Sequence, residues 1–95
     1  MAKLIVVYRL KQGVTAAAFE AWASGVAPGQ HGHVRRLEAF TTHTNGMTEY
    51  VEIYHIPQST AFDASDLPAH VDASIMGEFA GLDGQPQIRV SDEPH

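Results

Sequence analysis

Asn45-Gly46 lies between two β-rich runs, Val34 to Thr44 and Thr48 to Ile56. This dipeptide readily takes positive φ at both centres of a two-residue turn, so it specifies a hairpin and sets its register. The register places Thr42 opposite Glu49, Phe40 opposite Val51, Glu38 opposite Ile53 and Arg36 opposite His55 on one face. The other face pairs Thr41 with Tyr50, Ala39 with Glu52, Leu37 with Tyr54 and Arg35 with Ile56. A one-residue slip would exchange the two sets.

The remaining elements arrange themselves around this hairpin. Lys3 to Leu10 reads as a first strand with Leu4, Val6, Tyr8 and Leu10 on one face and Ile5 and Val7 on the other. Thr15 is placed to cap a helix whose apolar residues Phe19, Trp22, Ala23 and Val26 recur at helical spacing, with Pro28-Gly29 ending it. After the hairpin, Asp66-Leu-Pro-Ala-His70 leads into a helix that buries Val71, Ile75, Phe79 and Leu82, closed by Gly81 and Gly84. Gln85 to Val90 forms a short edge strand with Pro86 near its start. The order β-α-β-β-α-β predicts a ferredoxin-like α+β fold over residues 1–95 as one domain, a four-stranded antiparallel sheet with both helices on one face.

Ninety-five residues leave no room for a second core, and a deep cavity in so small a domain calls for a second subunit. With no cysteine there is no disulfide, thiolate zinc site or cysteine nucleophile. A net charge of −5, with no basic patch larger than Arg35-Arg36, argues against nucleic acid as a partner. No apolar run is long enough for a membrane span and no leader is visible, so a cytoplasmic location is expected. Gly-x-Gly-x-x-Gly, P-loop, His-Glu-x-x-His and Gly-x-Ser-x-Gly patterns are all missing, which leaves nucleotide, phosphoryl and serine-hydrolase chemistry unsupported.

Neither face of the hairpin follows a polar-outside pattern. The set with Arg36, Glu38, Glu49 and His55 is read as facing the helices across a partly polar cavity, which is where chemistry could occur. The set with Leu37, Ala39, Tyr50, Tyr54 and Ile56, joined by Ile5 and Val7, is then an apolar outer face. A second copy would cover it most economically, in a sheet-to-sheet homodimer.

On that reading Glu49 is either a proton acceptor raised by burial or a hydrated residue at the strand end. His55 and Arg36 are cross-strand neighbours, either an anchor for a substrate anion or, with Glu38, a structural ion-pair cluster. Tyr8 either reaches the cavity with its hydroxyl or is core, and Trp22 either anchors the first helix or walls a ring-bearing ligand. Tyr50 and Tyr54 are assigned to the dimer core. Six histidines exceed the roughly two of ordinary usage. His31 and His33 sit on the loop leaving the first helix, suited to a cavity mouth. As a metal pair they lack an identifiable third ligand, so no metal is assigned.

Leu4-Ile-Val-Val-Tyr-Arg-Leu-Lys-Gln-Gly-Val-Thr15 with Phe19-Glu-Ala-Trp22, Tyr50-Val-Glu-Ile53, and Glu78-Phe-Ala-Gly81 with Pro86 resemble the RedY/HapK-like proteins of the dimeric α/β-barrel superfamily. The resemblance implies sheets packed back to back in a homodimer and a role in an aromatic pathway such as those of prodigiosin type. Pro68-Ala-His-Val71 is similar to the corresponding segment of the plant olivetolic acid cyclase family, whose histidine moves protons without metal or organic cofactor. Carried over by position, that role falls to His70. The chain departs from that family at Leu67, Leu4 and Glu49, where the cyclase has histidines. If the helix already runs at Pro68, His70 lies off the Val71-Ile75-Phe79 stripe, and it faces the cavity only from an irregular turn.

Together these readings predict a small enzyme without a cofactor, acting on an apolar aromatic or polyketide-like substrate by lyase, cyclase or isomerase chemistry. His70 would be the principal acid/base group, assisted by Glu49 or His55, with Tyr8 or Arg36 holding an oxygen. A monooxygenase that uses the substrate's own carbanion, or a non-catalytic carrier of a pathway intermediate, are the alternatives.

Overall fold

In a computed structural model, residues 2–26, 34–57 and 67–92 are described. The element order is β1 (Ala2–Leu10), α1 (Ala16–Gly25), β2 (Arg35–Thr44), β3 (Met47–Ile56), α2 (Ala69–Ile75) and β4 (Gln87–Asp92). All pairings are antiparallel and the strand order is β2-β3-β1-β4, the ferredoxin-like arrangement expected.

Alternation along β1 sets the layers. Leu4, Val6, Tyr8 and Leu10 are buried beneath Phe19 of α1 and Val71 of α2 in one core, while Ile5 and Val7 are half-buried on the opposite face. The Thr15 hydroxyl accepts from the Ala18 N–H at 3.1 Å and starts α1 as expected. Val26 caps the other end, and Pro28-Gly29 lies outside the described residues. Asn45 and Gly46 both have positive φ, 53° and 78°, as a type I′ turn requires.

Two expectations are corrected. First, α2 does not extend to Phe79 and Leu82. Gly77 takes φ 80°, its N–H donates to Ser74 at 3.1 Å, and the Glu78 N–H donates to Ala73 at 2.9 Å, a Schellman closure that stops the helix at Ile75. Gly81 instead belongs to a segment that pairs with the end of β1, where the Lys11 N–H donates to its carbonyl.

Second, the faces of the hairpin are exchanged. Leu4 pairs with Tyr54, Val6 with Glu52 and Tyr8 with Tyr50, so the even-numbered residues of β3 face the helices. The expected partners hold from Thr42/Glu49 to Glu38/Ile53, and then a β-bulge at Leu37 shifts the rest. Arg36 therefore pairs with Tyr54 and Arg35 with His55, not Arg36 with His55. The extra residue reverses the parity of β2 and turns Arg36 to the helix side, although Glu38, Phe40 and Thr42 lie on the open side. That open face carries Ile5, Val7, Phe40, Val51 and Ile53 as its apolar residues, a different set from the one expected.

Candidate functional site

Three even positions of β3 are apolar or aromatic, Tyr50, Tyr54 and Ile56, and between them stands a carboxylate. Glu52 is 1% exposed. An ionised group this deep needs donors, and they come from four elements. Tyr8 of β1, diagonal to Glu52, donates its O–H to Oε1 at 2.6 Å. Arg36 of β2 brings NH1 to 3.3 Å from Oε2. His70 of α2 places Nε2 3.0 Å from Oε1 and 3.1 Å from Oε2, with the Tyr54 hydroxyl 3.1 Å from the same nitrogen. Among the described residues no buried side-chain polar atom lacks a partner.

Burial alone would raise the Glu52 pKa. The hydrogen bonds and charge of His70 and the hydroxyls of Tyr8 and Tyr54 outweigh it and hold the carboxyl below its ordinary value. An ionised carboxylate only accepts, so Nε2 of His70 must carry a proton in this contact, and in the neutral ring the lone pair then sits on Nδ1. Among the described residues no hydrogen bond engages Nδ1. Burial, then the field of Glu52, push the Tyr8 and Tyr54 hydroxyls upward, so at neutral pH both are donors and not bases. Tyr50 is likewise raised by burial and by donating its O–H to Glu20 of α1. Desolvation would lower Arg36, but the neighbouring Tyr50 and Glu52 outweigh it and keep the guanidinium charged.

A cavity of about 290 Å³ opens beside this cluster. Phe19, Glu20 and Ala23 of α1 form one wall, and Arg36, Glu52 and His70 the other. Phe19 is held by Tyr8 at 4.4 Å between ring centroids, Phe79 at 5.2 Å and Trp22 at 5.5 Å, so it offers a fixed aromatic face. The arrangement can orient a planar ligand against Phe19 with an acidic hydrogen toward His70.

The residues singled out in the sequence are thus distributed unevenly. His70 and Arg36 meet, and His70 does so from within a regular helix, because α2 starts at Ala69 and its second residue overhangs β3. Tyr8 is in the cluster, but its hydroxyl is bound to Glu52. Trp22 packs on Phe19 and Phe79 behind the cavity wall. Glu49 and His55 lie on the open sheet face, Glu49 facing Arg9 at 3.8 Å. Both were expected on the helix side, and the β1 pairing places them away from it. Tyr50 and Tyr54, assigned to a dimer core, are in the subunit's own interior at 3% and 4% exposure. His31 and His33 lie outside the described residues. Glu52 was missed, although its place between two tyrosines at spacing two was the available signal.

Among the described residues no group of three or more His, Cys, Asp or Glu could hold a metal ion, and no helix is long and apolar enough to cross a membrane. The sequence model of one protein family, described as HapK: REDY-like protein, matches residues 2–93. No curated protein and no solved structure matches the chain.

Proposed function

The chain belongs to the REDY-like HapK family, and from that premise we propose that it is an acid/base enzyme working without a cofactor, with His70 as the proton-transfer group and Glu52 as the residue that holds it. The observation that carries this reading is the contact of His70 Nε2 with a buried, ionised Glu52 at the wall of a cavity. A carboxylate bound to one imidazole nitrogen fixes the tautomer and the ring plane, which leaves the other nitrogen to work as base and then as acid. Tyr8, Tyr54 and Arg36 keep Glu52 charged, so the ring stays in this tautomer.

Cavity size bounds the substrate. At about 30 Å³ for each water-sized atom, the 290 Å³ cavity takes roughly ten heavy atoms, one substituted ring or a short polyketide-like chain. Phe19 favours a planar, apolar body. Lyase, cyclase and isomerase reactions all need a proton moved to or from such a substrate and no redox carrier. A second copy of the chain covers the open sheet face, where Ile5, Val7, Val51 and Ile53 lie between Arg35, Arg89, Glu38 and Glu49, charges of both signs that suit a two-fold contact.

The test uses a proton transfer that requires no knowledge of the natural product. Resorcinol in D₂O exchanges its ring hydrogens slowly, and the protein should accelerate the exchange, read by proton NMR. His70→Gln should lower the acceleration by about 10²- to 10⁴-fold, the usual contribution of a general base. Equal acceleration by the variant would remove His70 from the role, and none by the wild type would favour a carrier.

A further inference from the structure

The bulge at Leu37 leaves Leu37 itself exposed, and its structural effect is to deliver Arg36 to the helix side of the sheet. A guanidinium has five N–H donors, and among the described residues one contact, NH1 to Glu52, is the only side-chain hydrogen bond of Arg36. Its side chain remains 48% exposed and lines the cavity across from Phe19. The other donors of the fork are thus left to meet a ligand in the cavity that Arg36 and His70 both line.

Building on the reading of His70 as proton acceptor, we propose that Arg36 holds the oxyanion formed in this cavity, and that the cavity takes neutral oxygen acids, phenols or enolisable ketones of one ring, in preference to carboxylates.

Charge balance carries the selection. In the form that accepts a proton, His70 and the ligand are neutral, and the positive Arg36 and negative Glu52 cancel. When the ligand's O–H or C–H bond breaks, the electron pair stays on the ligand as phenolate or enolate and the proton goes to Nδ1 of His70. Imidazolium and Arg36 then balance Glu52 and the oxyanion. A carboxylate enters already charged, with no proton to give His70, and leaves the site with an unbalanced negative charge. Among the described residues the ionisable groups lining the space are Glu20 from α1, Arg36 from β2, Glu52 from β3 and His70 from α2, with the Tyr8, Tyr50 and Tyr54 hydroxyls bound to them, and only Glu20 stands outside this balance. Glu20, at the mouth with the Tyr50 O–H donated to it, adds a negative charge that further opposes a permanent anion.

The probe is 4-nitrophenol, whose anion is yellow, mixed with the full chain at a pH below the probe's own pKa. The phenolate band should appear on binding, and Arg36→Met should weaken phenolate binding roughly ten- to hundredfold, the effect of losing one charged hydrogen bond. Arg36→Lys, which keeps a charge beside Glu52, should recover part of it. Benzoate should fail to displace the probe from the wild type, an arm that needs no variant to fold. A probe that does not bind, a bound probe that stays protonated, an undiminished band in Arg36→Met, or displacement by benzoate at matching concentration each overturns the proposal. A band kept in His70→Gln and lost in Arg36→Met would instead refute the acid/base role and leave the Arg36 site standing.

Discussion

Tyr8→Phe isolates the contribution of one donor to a buried charge. The side chain is fully buried, its ring is packed against Phe19, and the substitution removes only the hydroxyl that donates to Glu52 at 2.6 Å. A hydrogen bond to a charged partner contributes about 1.5–3 kcal/mol net, against about 1 kcal/mol for a neutral pair. The larger loss applies while Glu52 is ionised. Because the folded carboxyl lies below its ordinary value of 4.5, its ionised-state stabilisation is fully present above that pH. It drains as pH falls through the depressed folded value. The difference between wild type and variant should therefore be about 1.5–3 kcal/mol near pH 7 and contract to about 1 kcal/mol at a pH low enough to protonate Glu52. Because the loss falls more heavily on the ionised form, the Glu52 pKa should rise in the variant. Urea unfolding followed by the fluorescence of Trp22, the only tryptophan, measures both arms, with a midpoint shift of about 1 M near neutrality. Protomer concentration must be equal in every sample, since dimerisation would add to the apparent stability. A difference that is the same at both pH values, or one below about 0.5 kcal/mol near neutrality, would refute the account of Glu52 as an ionised residue held by its donors.

Two further outcomes follow from backbone geometry and from the open face. Gly77→Ala should destabilise by about 1 kcal/mol and lower Tm by roughly 4–8 °C, because Gly77 sits at φ 80° although a Cβ there would meet nothing within 4 Å. Gly25→Ala, in the last turn of α1 and equally uncrowded, should stabilise slightly, and calorimetry of the two variants checks the opposite signs. Val7→Lys places a charge in the middle of the open sheet face opposite Val51. Sedimentation should show a wild-type dimer reduced to a monomer by this change, and a wild-type monomer at about 100 μM would end the proposed pairing of copies.

The sequence was most legible where local chemistry decides. Asn45-Gly46 specified its turn, Thr15 its cap, and the alternation of Leu4, Val6, Tyr8 and Leu10 its buried face. Parity was lost on β2 and β3, where counting charges put Glu49 and His55 on the cavity side. Only the pairing of Leu4 with Tyr54 and Val6 with Glu52 shows which set the helices cover. Glu52 escaped because its donors, at positions 8, 36, 54 and 70, lie on four elements, and nothing within Tyr50-Val-Glu-Ile-Tyr54 announces that they converge. The bulge has no marker either, since Leu37 is an ordinary strand residue. His70 was recognised through a neighbouring motif, but its orientation depended on where α2 begins.

Leu37 gives β2 a phase boundary. On the Thr44 side of it, odd and even positions read one way, and on the Arg35 side they read the other. Substituting Leu37 leaves this phase unchanged, and so does deleting it, because the shortened strand then alternates regularly from Glu38 opposite Ile53 to Arg36 opposite Tyr54 and Arg35 opposite His55. Loss of that one codon would thus remove the bulge and keep Arg36 on the cavity side of the sheet. For this chain, the pairing of Arg36 with Tyr54, and not the residue at position 37, places the cation of the cavity.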